Sequence, residues 1–142
     1  MKKKFKFKHK TGKTFKDLRG WLKKILDGNF SSCIEVYSKK GTTRANHYHK
    51  KDKHFIYIIS GEILYFYKDR KKGSKVHTKK MKKGDLFFTP AMQEHMAYFL
   101  KHTHFLAFST RKRTKFDYEK DLIRVNMKRY PDVKKAILKN RK

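Results

Sequence analysis

The sequence predicts an all-β fold, a small antiparallel β-barrel or jelly roll with short flanking helical segments. Aromatic and β-branched residues gather in short runs, "HFIYIIS", "EILYFY" and "YFLKHTHFLAFS", a composition that suits a pleated, half-buried surface. Gly41, Gly61, Gly73, Gly84 and Pro90 punctuate those runs, as tight turns between strands require. Punctuation of that regularity favours a sandwich or barrel over a βαβ architecture.

At 142 residues the chain suits one domain, large enough to bury a core without disulfides or a structural metal. Residues 1–14 form a basic N-terminal arm, in which "MKKKFKFKHK" alternates Lys with Phe and reads as an arm or as an edge strand able to pair with another subunit. "KTFKDLRGWLKKIL" follows, with Asp17, Arg19 and Gly20 at a turn between two short apolar segments. Residues 30–110, from "SSCIEVYS" to "HTHFLAFS", make the barrel core. Residues 111–142 form a C-terminal extension ending in "PDVKKAILKN", where Pro131 suits the first turn of a short helix. No internal repeat and no interdomain linker interrupts this order.

The formal charge of +28 attracts polyanions of almost any kind. Most of the 40 basic residues are lysine, a hydrated point charge without the planar fork that grips phosphate or guanine. Residues such as Lys71, Lys72, Lys79, Lys80, Lys82 and Lys83 lie in loops and at strand ends and read as solvated edges. No specific nucleic-acid partner is expected. Cys33 is the only cysteine, which excludes an internal disulfide and a thiolate zinc cluster; a buried, inert thiol is the expectation. No apolar stretch approaches the roughly 18 residues of a membrane helix, and "MKKKFKFKHK" has no apolar region behind its charged start. A cytoplasmic protein without a membrane span is expected.

Chemistry concentrates in "GTTRANHYHKKDKHFIYIISG", residues 41–61. Residues i and i+2 of a strand share a face, so His47 and His49 project side by side, roughly 7 Å apart at Cβ. If the chain turns through "KKDK" and returns, His54 joins them, and "FIYIIS" is then buried on both faces. A further histidine, His95, follows the glycine turn, strand and Pro90 of "GDLFFTPAMQEHMAYF". Three readings are open for these imidazoles: metal ligands, proton-transfer groups, or a hydrogen-bonded polar pocket.

The spacing resembles the two motifs of the cupin superfamily. The first is Gly, five residues, His-x-His, four residues, an acidic residue, six residues, Gly; here it is carried by Gly41, His47, His49, His54 and Gly61. The second is carried by Gly84, Pro90 and His95. The sequence departs from the pattern at His54 in place of glutamate, Met92 in place of glycine and Phe99 in place of asparagine. The resemblance implies a small jelly-roll barrel in which His47, His49, His54 and His95 bind a divalent metal. Imidazoles alone suit zinc, copper, nickel or iron; without the carboxylate, zinc or nickel is the better fit.

A narrower resemblance spans residues 15 to about 125. "FKDLRG", "RANHYH" and "FDYEKDLIRV" are similar to landmarks of the cupins that remodel nucleotide-linked sugars, the 3,4-ketoisomerases and 3,5-epimerases of deoxysugar and surface-polysaccharide synthesis. An Arg-Gly pair precedes the histidines in that group, whereas Arg44 is followed here by Ala45. The implied chemistry is proton abstraction beside a ketone, which needs a base near neutral pH and donors for the developing enolate, and it requires no metal. The resemblance implies that His47 or His49 takes the proton and the other returns it. Arg44 would face the sugar oxygen or the diphosphate, Tyr37 or Tyr98 would donate to an oxygen, Glu35 would contact a sugar hydroxyl, and His95 would complete the pocket. The expected ligand is an anionic nucleotide sugar and the expected assembly a homodimer. The alternatives are a metal-binding cupin with a four-histidine site and a non-catalytic sugar-binding cupin.

Overall fold

Alternation along the strands decides which side chains meet, and here it builds two facing five-stranded sheets. The computed structural model describes residues 5–141. One sheet has the order β1 (Lys8–His9), β9 (Leu86–Thr89), β6 (His54–Ser60), β11 (Thr103–Ser109) and β4 (Ser32–Ser38). The other runs β12 (Leu122–Arg124), β5 (Thr43–His49), β10 (Gln93–Phe99), β7 (Glu62–Asp69) and β8 (His77–Lys82). Every pairing is antiparallel, and the two sheets make the expected jelly-roll sandwich. β2 (Thr14–Asp17) and β3 (Gly20–Lys23) form a separate hairpin that turns at Leu18 and Arg19.

The run "EILYFY" is apolar throughout because β7 is covered on both sides. Ile63, Tyr65 and Tyr67 point between the sheets, with Ile58, Phe87, Phe99 and Phe105. Leu64 and Phe66 point the other way, onto Met127 and Val133. Val133 belongs to α2 (Pro131–Asn140), the expected C-terminal helix with Pro131 in its first turn. A second short helix, α1 (Lys115–Asp121), precedes it at a position the sequence did not mark; Thr114 caps it by accepting from the Asp117 amide at 3.2 Å.

Two expectations are corrected. β6 is not buried on both faces: His54 and Ile58 are buried, while Phe55, Tyr57 and Ile59 are half-buried. Phe55 rests on His9, Phe30 and Phe88, and Lys23 lies over Tyr57, so single side chains partly cover the outer face. Cys33 is exposed, because on β4 it alternates with the inward Ile34. Within the described part of the N-terminal arm, Lys8–His9 pairs with β9 of its own chain. No helix among the described residues is long and apolar enough to cross a membrane.

A bulge in β5 sets the site geometry. His95 pairs with His47, but the next residue, Met96, pairs with Ala45, so Asn46 is the extra residue. Ala45 and Asn46 have φ of 70° and 64°, and Asn46 is tied down by Val125 N and Met127 N, which donate to its backbone and side-chain oxygens at 2.9 and 2.8 Å. The shift puts Arg44 opposite the inward Ala97, where an unbroken strand would turn it away from His47 and His49. Ala45 occupies a left-handed position that favours glycine, at a cost of about 1 kcal/mol. Ala45→Gly is therefore expected to raise stability by about 1 kcal/mol. Gly61 is the opposite case: at φ 101° an added Cβ would lie 2.4 Å from Thr103 Oγ1 and 2.5 Å from His102 O. Gly61→Ala should cost more than about 2 kcal/mol, and denaturant titration of the two variants checks both signs.

Candidate active site

β5, β6 and β10 bring His47, His49, His54 and His95 together between the sheets, although 40 residues of chain separate His54 from His95. His47 and His95 sit opposite each other in register with ring centroids 4.7 Å apart, and His47 and His49 are 4.8 Å apart. His54 stands 5.2 Å from His95 and 5.5 Å from His49. All four are buried.

Two of the rings have a fixed tautomer. His95 Nδ1 donates to Gln93 O at 3.0 Å, and His49 Nδ1 donates to the buried Asp121 carboxylate at 3.1 Å. In each case the other ring nitrogen, Nε2, keeps its lone pair. Asp121, the last residue of α1, also accepts from the amides of Lys51 and Asp52 at 2.8 and 3.1 Å. Its own carbonyl takes the Lys50 amide at 2.8 Å.

Burial keeps the imidazoles neutral. It pushes His95 down to about 3 and, with the neighbouring His95 and His49, His47 to about 2. His54 is held well below the ordinary range by burial and then by the other three rings. His49 is lowered by burial too, but the Asp52 and Asp121 carboxylates oppose the shift, so it is the one imidazole with carboxylate support.

These rings form part of the wall of a cavity of about 360 Å³, whose other walls include Ile34, Val36, Ile56, Tyr65, Ala97, Phe105, Arg44, Arg113, Tyr118 and Arg124. That volume lies in the roughly 300–1,000 Å³ range of small-molecule pockets. β12 pairs with β5 so that Arg124 is opposite His47 and Leu122 opposite His49. The Tyr118 ring lies 5.8 Å from His49 and 6.2 Å from His47. An apolar chamber with neutral imidazoles, two phenols and cationic walls can admit an anionic ligand and move a proton on it.

Of the residues singled out in the sequence, His47, His49, His54, His95 and Arg44 meet at this cavity. Arg44 donates through Nε to Ser38 Oγ and through Nη2 to Tyr37 O at 3.3 Å. Tyr98, Tyr37 and Glu35 do not meet there, and strand parity is the reason. Tyr98 is three residues from His95 on a regular strand and packs outward toward the α2 side of the sheet. Tyr37 and Glu35 alternate with Val36 and Ile34; Tyr37 is exposed beside His102, and Glu35 accepts from His104 Nε2 at 3.0 Å. Asp121, Tyr118, Arg113, Arg124 and Asp52 were missed. Three of them lie in "FDYEKDLIRV", and the resemblance of that stretch to the nucleotide-sugar cupins was the signal within reach.

The donor set suits a metal in part. Nitrogens of His47, His49 and His95 lie within 4.8 Å of one another, and a second group of the same compactness joins His49, His54 and Asp52. A bound zinc ion would lie about 2.0–2.1 Å from each nitrogen.

A model of the cupin domain matches residues 34–106. No curated protein matches by sequence. Among solved structures, dTDP-6-deoxy-D-glucose-3,5-epimerase of Legionella pneumophila in complex with dTDP-4-keto-L-rhamnose is 17% identical with a TM-score of 0.67, over 82% of this chain and 70% of that one. A 3,4-ketoisomerase from Helicobacter canadensis is 15% identical with a TM-score of 0.65, over 80% and 86%. A variant of a 3,4-ketoisomerase from Thermoanaerobacterium thermosaccharolyticum, in complex with TDP-4-keto-6-deoxyglucose, is 16% identical with a TM-score of 0.61, over 80% and 83%. At these identities the likeness is one of fold.

The depressed histidines make stability depend on pH. His95 takes a proton near pH 6.5 when unfolded but only near 3 when folded, so the unfolded state binds more protons in between. Stability is full above that window and falls as pH drops from about 6.5 toward about 3, by up to about 1.4 kcal/mol per unit for each such histidine. Urea midpoints measured from about pH 8 to about pH 4 should fall accordingly; a flat profile would contradict neutral, buried imidazoles.

Proposed function

The chain belongs to the cupin family, and we propose that within it the protein isomerises or epimerises a nucleotide-linked 4-keto-deoxysugar by histidine-mediated proton transfer. The observation that carries this reading is the His49–Asp121 pair opening on a cavity with Tyr118 and cationic walls. A ketone acidifies the C–H bond on its neighbouring carbon. His49 Nε2, backed by Asp121 at Nδ1, removes that proton, and the electron pair moves onto the ketone oxygen as an enolate. His47 or Tyr118 returns a proton to carbon: at the former carbonyl carbon, with the neighbouring hydroxyl's proton passing to the enolate oxygen, the ketone migrates; at the original carbon from the other face, the centre inverts. Arg44 faces the sugar or its diphosphate from the bulged strand. The neighbours crystallised with TDP-sugars support this substrate class, and surface-polysaccharide sugar synthesis is the corresponding role.

This route needs no metal, a cytoplasmic location suits it, and a homodimer is the proposed assembly. The position of β4 at the end of its sheet and the exposed Phe15, Trp21 and Leu22 of the β2–β3 hairpin support that assembly. A metal-binding cupin is the second reading, favoured by the compact His47, His49 and His95 nitrogens. There His54 would be a further donor, zinc or nickel the suited ion, and polarisation of a carbonyl the chemistry supplied. The readings compete, because a lone pair given to a metal is not a base.

Wild-type protein should exchange solvent deuterium into TDP-4-keto-6-deoxyglucose, and His49→Asn should slow that exchange by at least about 100-fold. Absence of exchange in wild type removes the isomerase reading. Elemental analysis of protein purified without a nickel column decides the rival: stoichiometric metal that disappears in His47→Ala establishes a metal site, whereas a metal-free protein that still catalyses exchange excludes a metal requirement.

A further inference from the structure

Three guanidinium groups line the cavity, and they are not equivalent. Arg44 is held by Ser38 and the Tyr37 carbonyl. Arg124 is paired with Glu119 through contacts of 3.0 and 3.2 Å. Arg113 makes no hydrogen bond or ion pair among the described residues; its guanidinium carbon lies 4.2 Å from the Tyr118 ring centroid. Stacking on an aromatic face leaves a guanidinium's N–H edge free to grip a phosphate through two parallel bonds.

We propose that Arg113 is the residue that takes the phosphate charge of the cavity's ligand. The inference rests on the nucleotide-sugar reading and adds the phosphate-binding residue to it. Position supports it: Arg113 and His49 both neighbour the Tyr118 ring, at 4.2 and 5.8 Å from its centroid, and all three line the same cavity. In a nucleotide sugar the diphosphate leaves C1, across the pyranose ring from C4. With the reacting carbon at His49, a sugar lying along Tyr118 would bring its first phosphate to Arg113.

The loop is also built to hold it there. The Asp52 carboxylate accepts from Thr110 Oγ1 at 3.0 Å and from the Arg111 amide at 3.2 Å. The Lys53 amide donates to Thr110 Oγ1 at 3.2 Å, and Thr110 N returns a bond to Lys53 O at 3.0 Å. On the far side Thr114 is fixed as the cap of α1. Arg113 is thus held between two anchors, and unlike Lys112 between the same two it stacks on Tyr118 and lines the cavity.

Isothermal titration at about 0.15 M ionic strength tests this with thymidine diphosphate, thymidine and inorganic pyrophosphate as probes. Arg113→Ala is expected to weaken thymidine diphosphate and pyrophosphate at least about tenfold and to leave thymidine unchanged. Arg113→Lys, which keeps charge but not the fork, should fall between. Lys112→Ala removes the same unit charge one residue away and should stay within about twofold of wild type. Equal losses in Arg113→Ala and Lys112→Ala, no loss in Arg113→Ala, or a wild type that binds neither phosphate probe would each overturn the assignment. Wild-type pyrophosphate binding that depends on Arg113, without deuterium exchange into the sugar, upholds the assignment and removes the isomerase reading. Exchange with undiminished binding in Arg113→Ala does the reverse.

Discussion

One buried hydrogen bond, from His49 Nδ1 to the Asp121 carboxylate, joins the jelly roll to the segment that follows it. Around it Asp121 collects the amides of Lys50, Lys51 and Asp52, so the turn after β5 and the end of α1 have little freedom relative to each other. That junction directs β12 alongside β5 and delivers Tyr118 and Arg124 to the cavity. Removing the His49 ring would leave the buried Asp121 carboxylate short of a partner, at a cost of about 1–3 kcal/mol.

The same contact separates one imidazole from three. Burial alone would leave the whole cluster as weak bases, and for His47, His54 and His95 it does. Asp121 and Asp52 oppose that effect only at His49. The chain's charge of +28 acts on a larger scale: it concentrates anions near the surface, whereas recognition requires groups with fixed directions. A stacked guanidinium has such a direction and a solvated lysine does not.

Much of the sheet structure was legible because it follows local rules. Apolar runs between glycines marked the strands, Pro131 marked the start of α2, and the two histidine motifs marked β5 and β10. Parity along an uninterrupted strand was legible too: Tyr98 is an odd number of residues from His95, and Tyr37 and Glu35 share one face of β4. The bulge was not, because Ala45 and Asn46 carry no glycine to announce a positive φ, and it reverses the facing of Arg44. Met92, at φ 63°, likewise keeps a glycine-like backbone where the cupin motif has glycine. β6 misled for another reason: its apolar residues alone do not say whether a second layer covers them.

By itself, the sequence determined the all-β class, the order of the elements and the set of paired histidines, since turn chemistry, side-chain alternation and motif spacing are properties of neighbours along the chain. Tertiary structure decided which charges those histidines feel. Asp121 lies 72 residues from His49, and only the docking of α1 and β12 brings it into hydrogen-bond range. The separation of His49 from the other imidazoles comes from burial and from that docking, and neither is encoded within the motif itself.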